Sequence, residues 1–121
     1  MDQAVFVELV RELLVEPVVS DTISQIAKPS GRNLSEERKW RAAWFNGLSD
    51  DQRANVEYAV ADAARAAAFG LFCVLDGARV IENGPSRGHL ELRYINAASD
   101  TLLASSAADM PTSLHEPSDR S

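Results

Sequence analysis

The stretch "SDDQRANVEYAVADAARAAAFGLFCVLDG", residues 49–77, decides the fold class of this chain. It contains no proline and is rich in alanine, the residue that most favours a helix. Ser49 followed three residues later by Gln52 matches a helix-starting capping box. Gly77 stands where a helix end favours a left-handed residue. The stretch therefore predicts one long central helix over about residues 50–76.

The two halves of this helix differ in polarity. Up to Arg65, regularly spaced charges indicate one solvated side, whereas Ala66 to Leu75 are uncharged on every side. A helix that is apolar all round is usually buried all round, so we expect this second half to be buried. Gly70 within it predicts a close approach by another backbone, either the hairpin described next or a second copy of the chain.

A β-hairpin is predicted after the helix, because the period of hydrophobicity shifts to two. "HLELRY", residues 89–94, alternates polar and apolar side chains as a half-buried strand does. "NAASD", residues 96–100, suits a hairpin loop, and "TLLA" suits the returning strand. Residues 78–82 fit either a short strand or a further helical turn.

The N-terminal part predicts three more helices. Residues 3–15 place apolar side chains on one helical face, and Pro17 is expected to break that helix. A short helix follows and ends before Pro29. A third helix starts after a cap at Asn33 and ends near Gly47. The fold class is thus α+β, with about four helices and a small C-terminal antiparallel hairpin. The face of the first helix comprises Phe6, Leu9, Val10, Leu13 and Leu14.

Length and composition predict one soluble domain. The chain has 121 residues, enough to bury a core without a metal or a disulfide. We expect one domain over residues 1–104 and a polar, flexible tail over 105–121, in which Met110 and Leu114 are the candidate anchors.

Charge and hydropathy bear on partners and location. A net charge of −6 with two lysines argues against a nucleic-acid partner. The uncharged run of residues 66–75 is about half of what a membrane-spanning helix needs, and the N-terminus lacks the features of an export signal. One cysteine cannot form an internal disulfide. These features predict a cytoplasmic protein.

No catalytic group, metal site or cofactor is predicted. Cys73 lies in the apolar end of the long helix and is expected to pack as a small hydrophobe. His89 and Glu91 form an H-x-E, but the P-C-x-x-C segment that completes a zinc deaminase site is missing. The segment "NGPSRG" lacks the lysine of a phosphate loop and fits a turn.

Two surfaces remain as candidates for binding. The polar face of the first strand is either an ordinary solvated sheet face or a recognition surface. Trp40 with Arg41 resembles a protein-interface hot spot, while Trp44 is expected in the core. The recognition surface would comprise Arg79, Glu82, Arg87, His89, Glu91 and Arg93.

Part of the chain resembles a family of small bacterial proteins without an assigned activity. The resemblance covers about residues 48–116 and lies in the long helix with its "CVLDG" phrase, in "GHLELRYI" and in a late "LHE". It implies a long helix followed by a C-terminal strand pair, and it implies no catalytic residue.

Three classes of function are compatible with these features. The first is a non-enzymatic protein-binding, accessory or immunity-type factor that uses an interface or a free sheet edge. The second is a small-molecule-binding protein or small enzyme that uses the polar residues around the hairpin. The third is a nucleic-acid-binding regulator, which the charge disfavours. A homodimer through Trp40 or the hairpin edge is also predicted.

Overall fold

The α+β architecture predicted from the sequence is confirmed. The computed structural model describes residues 1–116, and it is mainly helical, with 56% helix, and carries one two-stranded antiparallel sheet. Within these residues there are three helices rather than the predicted four. Helix α1 runs continuously through three segments, Gln3–Val10, Arg11–Val15 and Glu16–Ala27. Helix α2 is Glu36–Asn46, and helix α3 is Asp50–Asp76. The strands are β1, Glu91–Ile95, and β2, Asp100–Ser105.

The first two predicted helices are one helix because Pro17 does not break it. A π-helical turn at Arg11–Val15 precedes the proline, which then lies in the first turn of the segment Glu16–Ala27. A proline in a first turn has no N–H to satisfy, and the wider turn makes room for its ring. The π-turn also shifts the apolar stripe. Val15 is therefore buried, whereas Leu13 is 73% exposed instead of facing the core as predicted.

Local capping fixes the helix starts. The predicted capping box is confirmed: Ser49 N–H donates to Gln52 Oε1 at 3.0 Å, and Gln52 N–H donates to Ser49 Oγ at 3.2 Å. Helix α2 starts two residues later than predicted, because Ser35 and not Asn33 is its cap. Ser35 Oγ accepts the N–H of Arg38 at 3.2 Å.

The hairpin has one irregularity that controls burial. Its strands pair antiparallel, with a bulge between Leu92 and Arg93 that leaves Leu103 as an extra residue on β2. A bulge interrupts the strict alternation of faces, and Leu103 and Ala104 are both buried although they are neighbours. The loop is closed by Asn96 Oδ1, which accepts the N–H of Ser99 at 2.7 Å.

The described chain forms two compact units. One combines Met1–Arg11 with the chain from Ala66 onward, and the other is Glu12–Arg65. Whether the chain forms a single domain over 1–104 stays a prediction. Of the expected tail, Ser105 belongs to β2 and Leu114 is fully buried, while residues 117–121 lie outside the described part.

The core of the first unit is small and joins distant parts of the sequence. Its buried side chains are Val7, Phe72, Ala104 and Leu114. The ring of Phe6 meets that of Phe72 edge to face, with centroids 6.3 Å apart. Gln3 Nε2 also donates to the carbonyl of Leu103 at 2.6 Å and to that of Thr112 at 3.1 Å.

The second half of α3 is not buried on all sides, so that prediction is wrong. Phe72 is 4% exposed, but Leu71 beside it is 56% exposed. The first unit offers one core for one face of this helix, and neighbouring residues of a helix point in directions about 100° apart. Among the described residues, no backbone from outside α3 lies within 4 Å of a Cβ built on Gly70, and the nearest group is the guanidinium of Arg79, at 3.7 Å. The hairpin therefore makes no close approach there, and an approach by a second copy of the chain stays a prediction.

The second unit packs the segment Glu16–Ala27 against α2. Asn46 Nδ2 donates to the carbonyl of Ala27 at 2.8 Å and so satisfies a carbonyl at the end of α1. Phe45 is 3% exposed and fills the place expected for Trp44, which is 46% exposed. The prediction of Trp44 as a core residue is therefore wrong.

Candidate functional site

A cavity of about 730 Å³ lies in the first unit, beside the C-terminal end of α3. Its frame depends on Gly77, which ends the helix with φ +81°, as the sequence predicted. A Cβ on Gly77 would lie 2.6 Å from the carbonyl oxygen of Ser106. Glycine thus lets the chain after β2 pass directly against the helix end.

Ser106 then fixes the other wall of the cavity. Its N–H donates to the carbonyl of Leu90 at 2.9 Å, and its Oγ accepts the N–H of Leu90 at 2.8 Å. These two hydrogen bonds join the residue before β1 to the residue after β2, and so fix the position of residues 106–107 beside the cavity. The segment between Gly77 and Leu90 has neither helix nor strand, so residues 78–82 are neither of the predicted alternatives.

The structure brings together four of the six residues predicted as a recognition surface. The cavity lining combines these polar side chains with the apolar side chains of Val74, Val80, Ile81 and Leu90. Val80 and Ile81 are each 65% exposed, which is unusual for neighbouring large apolar residues of a loop. The four predicted residues in the lining are Arg79, Glu82, Arg87 and His89.

The other two predicted residues, Glu91 and Arg93, belong to the hairpin. Arg93 Nε donates to Glu91 Oε2 at 3.1 Å, and Arg93 Nη1 donates to Asp100 Oδ1 at 3.2 Å. The hydrogen bond and charge of Arg93 lower the pKa of Glu91. The hydrogen bonds that Arg93 donates, first to Asp100 and then to Glu91, raise the pKa of Arg93. This triad joins the two strands, and His89 Nε2 lies 3.5 Å from Glu91 Oε1 at its border.

A second polar cluster in this unit was not predicted from the sequence. The carboxylate of Asp76 lies 2.7 Å from His115 Nδ1, and the ring of Phe69 meets the imidazole edge to face at 5.9 Å. Asp76 and His115 are 39 positions apart. A stretch of mixed polar residues such as the chain after Ser105 carries no periodic signal, so only the fold reveals the pair.

The predicted interface residues lie in the second unit, on α2. Trp40 and Trp44 stack with ring centroids 6.5 Å apart and planes inclined by 12°. Trp40 is 68% exposed. Arg41 is exposed beside them. Residues four apart on a helix are neighbours on its surface, so the spacing of Trp40 and Trp44 could have identified Trp44 as part of the same surface.

Within residues 1–116, no group of three His, Cys, Asp or Glu side chains could hold a metal ion. Helix α3 is long and apolar enough to cross a membrane by length and composition alone, with 6% of its most apolar window buried. Asp62 and Arg65 lie inside this helix as an ion pair at 3.7 Å.

No protein-family model, curated protein or solved structure matches this chain. The resemblance to a family of small bacterial proteins accordingly stays a prediction.

Proposed function

We propose that this chain is a non-enzymatic protein-binding factor, of the accessory or immunity type, that holds its partner through Trp40 and Trp44. The observation that supports the proposal is the stacked and exposed indole pair on α2. Tryptophan buries more apolar area than other side chains when a partner covers it, and it is enriched among residues that dominate binding energy. Two such rings that already stack lose little side-chain freedom on binding.

The charged residues of α2 near the pair are of both signs. Lys39 is engaged by Glu36 at 3.3 Å. Within the described residues, neither Arg38 nor Arg41 forms an ion pair, although the chain as a whole carries a charge of −6. On the helix Arg41 follows Trp40, whereas Glu36 lies one turn before it on the same side. We propose a partner protein with an apolar pocket that receives the two indole rings.

The test begins with a pull-down from the native host, followed by purification of the identified partner. Calorimetry then compares wild type with the variant carrying Trp40→Ala and Trp44→Ala. A hot-spot pair predicts a loss of about 2 kcal/mol or more, which is roughly a 30-fold weaker Kd. Tyr58→Ala is the control, because Tyr58 is an equally exposed aromatic residue, at 70%, on α3. Unchanged affinity of the double variant would contradict the proposal.

A homodimer through the same face is the alternative that we retain. Sedimentation of the wild type at tens of micromolar separates the two: a dimer that Trp40→Ala converts to monomer would make a second copy the occupant. If the wild type sediments as a monomer, the occupant of the tryptophan face would be a different protein.

We further propose a cytoplasmic location and no nucleic-acid partner. The uncharged part of α3, residues 66–75, would span about 15 Å, against the roughly 30 Å of a bilayer core. Membrane fractionation checks the first point. Fluorescence anisotropy with labelled DNA and RNA at low salt checks the second, since phosphate binding is strongest there.

A further inference from the structure

Two arginines line the cavity beside Gly77. Arg79 and Arg87 both line it, and among residues 1–116 neither guanidinium forms an ion pair. Acidic residues outnumber basic ones in this chain by 18 to 12, so two unpaired arginines at one cavity are not explained by the average charge. A guanidinium offers several donors in a planar arrangement that matches carboxylate and phosphate oxygens.

The single carboxylate in the lining does not neutralise these arginines. Glu82 Oε1 accepts the N–H of Gly88 at 2.7 Å, and this hydrogen bond closes the loop between Glu82 and Gly88. Two of the last four carbonyl groups of α3 are also occupied: the N–H of Arg79 donates to Cys73 at 3.1 Å, and that of Gly77 to Val74 at 3.2 Å. With two arginines and one carboxylate among its described residues, the lining carries a net positive charge.

The remaining wall is apolar and large enough for an organic molecule. Val74, Val80, Ile81 and Leu90 contribute hydrocarbon to a cavity of about 730 Å³. Small-molecule sites are typically about 300–1,000 Å³ and combine an apolar lining with a few polar groups. An inorganic ion would leave this wall in contact with water only.

We infer that this cavity binds a small organic anion, with its carboxylate or phosphate on Arg79 and Arg87 and its apolar portion against Val80, Ile81 and Leu90. The site is separate from the tryptophan pair, and it assigns a ligand class to the small-molecule function that the sequence left open. Carboxylates and phosphate monoesters share the chemistry that these residues recognise.

Benzoate and phenyl phosphate are suitable probes, with benzyl alcohol as the neutral analogue and inorganic phosphate as the analogue without a ring. Titrations of the full chain are followed by ¹H–¹⁵N NMR. We expect saturable shifts at the amides of residues 78–90 and 106–107 with one or both organic anions. Benzyl alcohol and inorganic phosphate should each bind at least about tenfold more weakly than the preferred organic anion. Benzyl alcohol lacks the charged head group, and inorganic phosphate lacks the apolar ring. The stronger of the two organic anions identifies the head group.

Charge-removing variants test the arginines. Arg79→Gln and Arg87→Gln should each weaken binding of the preferred probe about tenfold or more. Arg32→Gln is the matched control, since Arg32 is exposed in the loop before α2 and outside this unit. Arg87 is also exposed, so the Arg87→Gln variant should fold as the wild type does. It therefore tests the inference even if Arg79→Gln disturbs the loop.

Three results would overturn the inference: no saturable shift with either organic anion, equal binding by Arg87→Gln and wild type, or equal binding of benzyl alcohol and benzoate. The variant with Trp40→Ala and Trp44→Ala should bind the probe as the wild type does. Failure of the anion site and failure of the protein-binding proposal are thereby distinguished.

Discussion

The carboxylate of Asp76 accepts the backbone N–H of His115 at 2.9 Å and lies 2.7 Å from Nδ1 of the same residue, within hydrogen-bond distance. The side chain of Asp76 is 5% exposed. The pair therefore joins the last turn of α3 to the chain that follows the hairpin, at a place shielded from water.

Asp76→Ala should destabilise the protein by about 1–3 kcal/mol, because it leaves the buried donors of His115 without their acceptor. Asp76→Asn keeps one acceptor oxygen and should cost less. Urea unfolding measures both free energies, and hydrogen exchange at the amide of His115 should accelerate in the same order. Equal stability of the alanine variant and wild type would contradict this role.

Gly77→Ala should cost about 2 kcal/mol or more, since it adds a clash to an unfavourable backbone conformation. Gly84→Ala is the matched control. Gly84 also has a positive φ, +110°, but nothing lies within 4 Å of a Cβ built on it. The difference between the two variants in thermal or urea unfolding isolates the contact with Ser106. If both cost the same, that contact is unimportant.

Leu114→Ala should destabilise the protein by about 2–5 kcal/mol, as large-to-small changes at buried leucines do. Leu114 is 0% exposed, whereas Leu13 is 73% exposed and provides the same substitution on the surface. Leu13→Ala should stay within about 0.5 kcal/mol of wild type. Both are compared by urea unfolding, and a small effect at Leu114 would show that the chain after β2 does not contribute to the core.

The pKa of Glu91 should lie below its ordinary value of 4.5, because Arg93 stabilises the carboxylate by a hydrogen bond and by charge. A carboxyl whose pKa is lower when folded adds stability above its unfolded pKa. That contribution is lost as the pH falls through the folded pKa. NMR titration of the Glu91 carboxyl carbon measures the midpoint, which Arg93→Gln should move back up toward 4.5. An unchanged midpoint in that variant would show that Arg93 is not the cause.

Features that depend on neighbours in the chain were predictable from the sequence. The long helix, its capping box at Ser49 and Gln52, and its end at Gly77 all agree with the structure. The position of the hairpin is also close to the prediction. In each case, interactions within a few residues select the backbone conformation, so a short window of sequence contains the cause.

Burial and side-chain partners were decided by tertiary structure. Nothing near Leu71 in the sequence indicates that it is exposed while Phe72 is buried. The residues of the predicted recognition surface fall into two groups. Arg93 donates a hydrogen bond to Asp100 on the other strand, whereas Arg79 and Arg87 line a cavity that Ser106 borders. These outcomes depend on which distant segments close onto each other.

The sequence by itself determined the long helix α3, the glycine that ends it and the approximate position of the hairpin, since local backbone preferences and hydrophobic period act over a few residues. Only the tertiary structure decided that Trp44 joins Trp40 in the open and that Leu114 reaches the core. It also decided that Asp76 holds His115. The physical reason is that burial depends on which distant segments cover a side chain, and that Asp76 and His115 are 39 positions apart, a separation that no local pattern specifies.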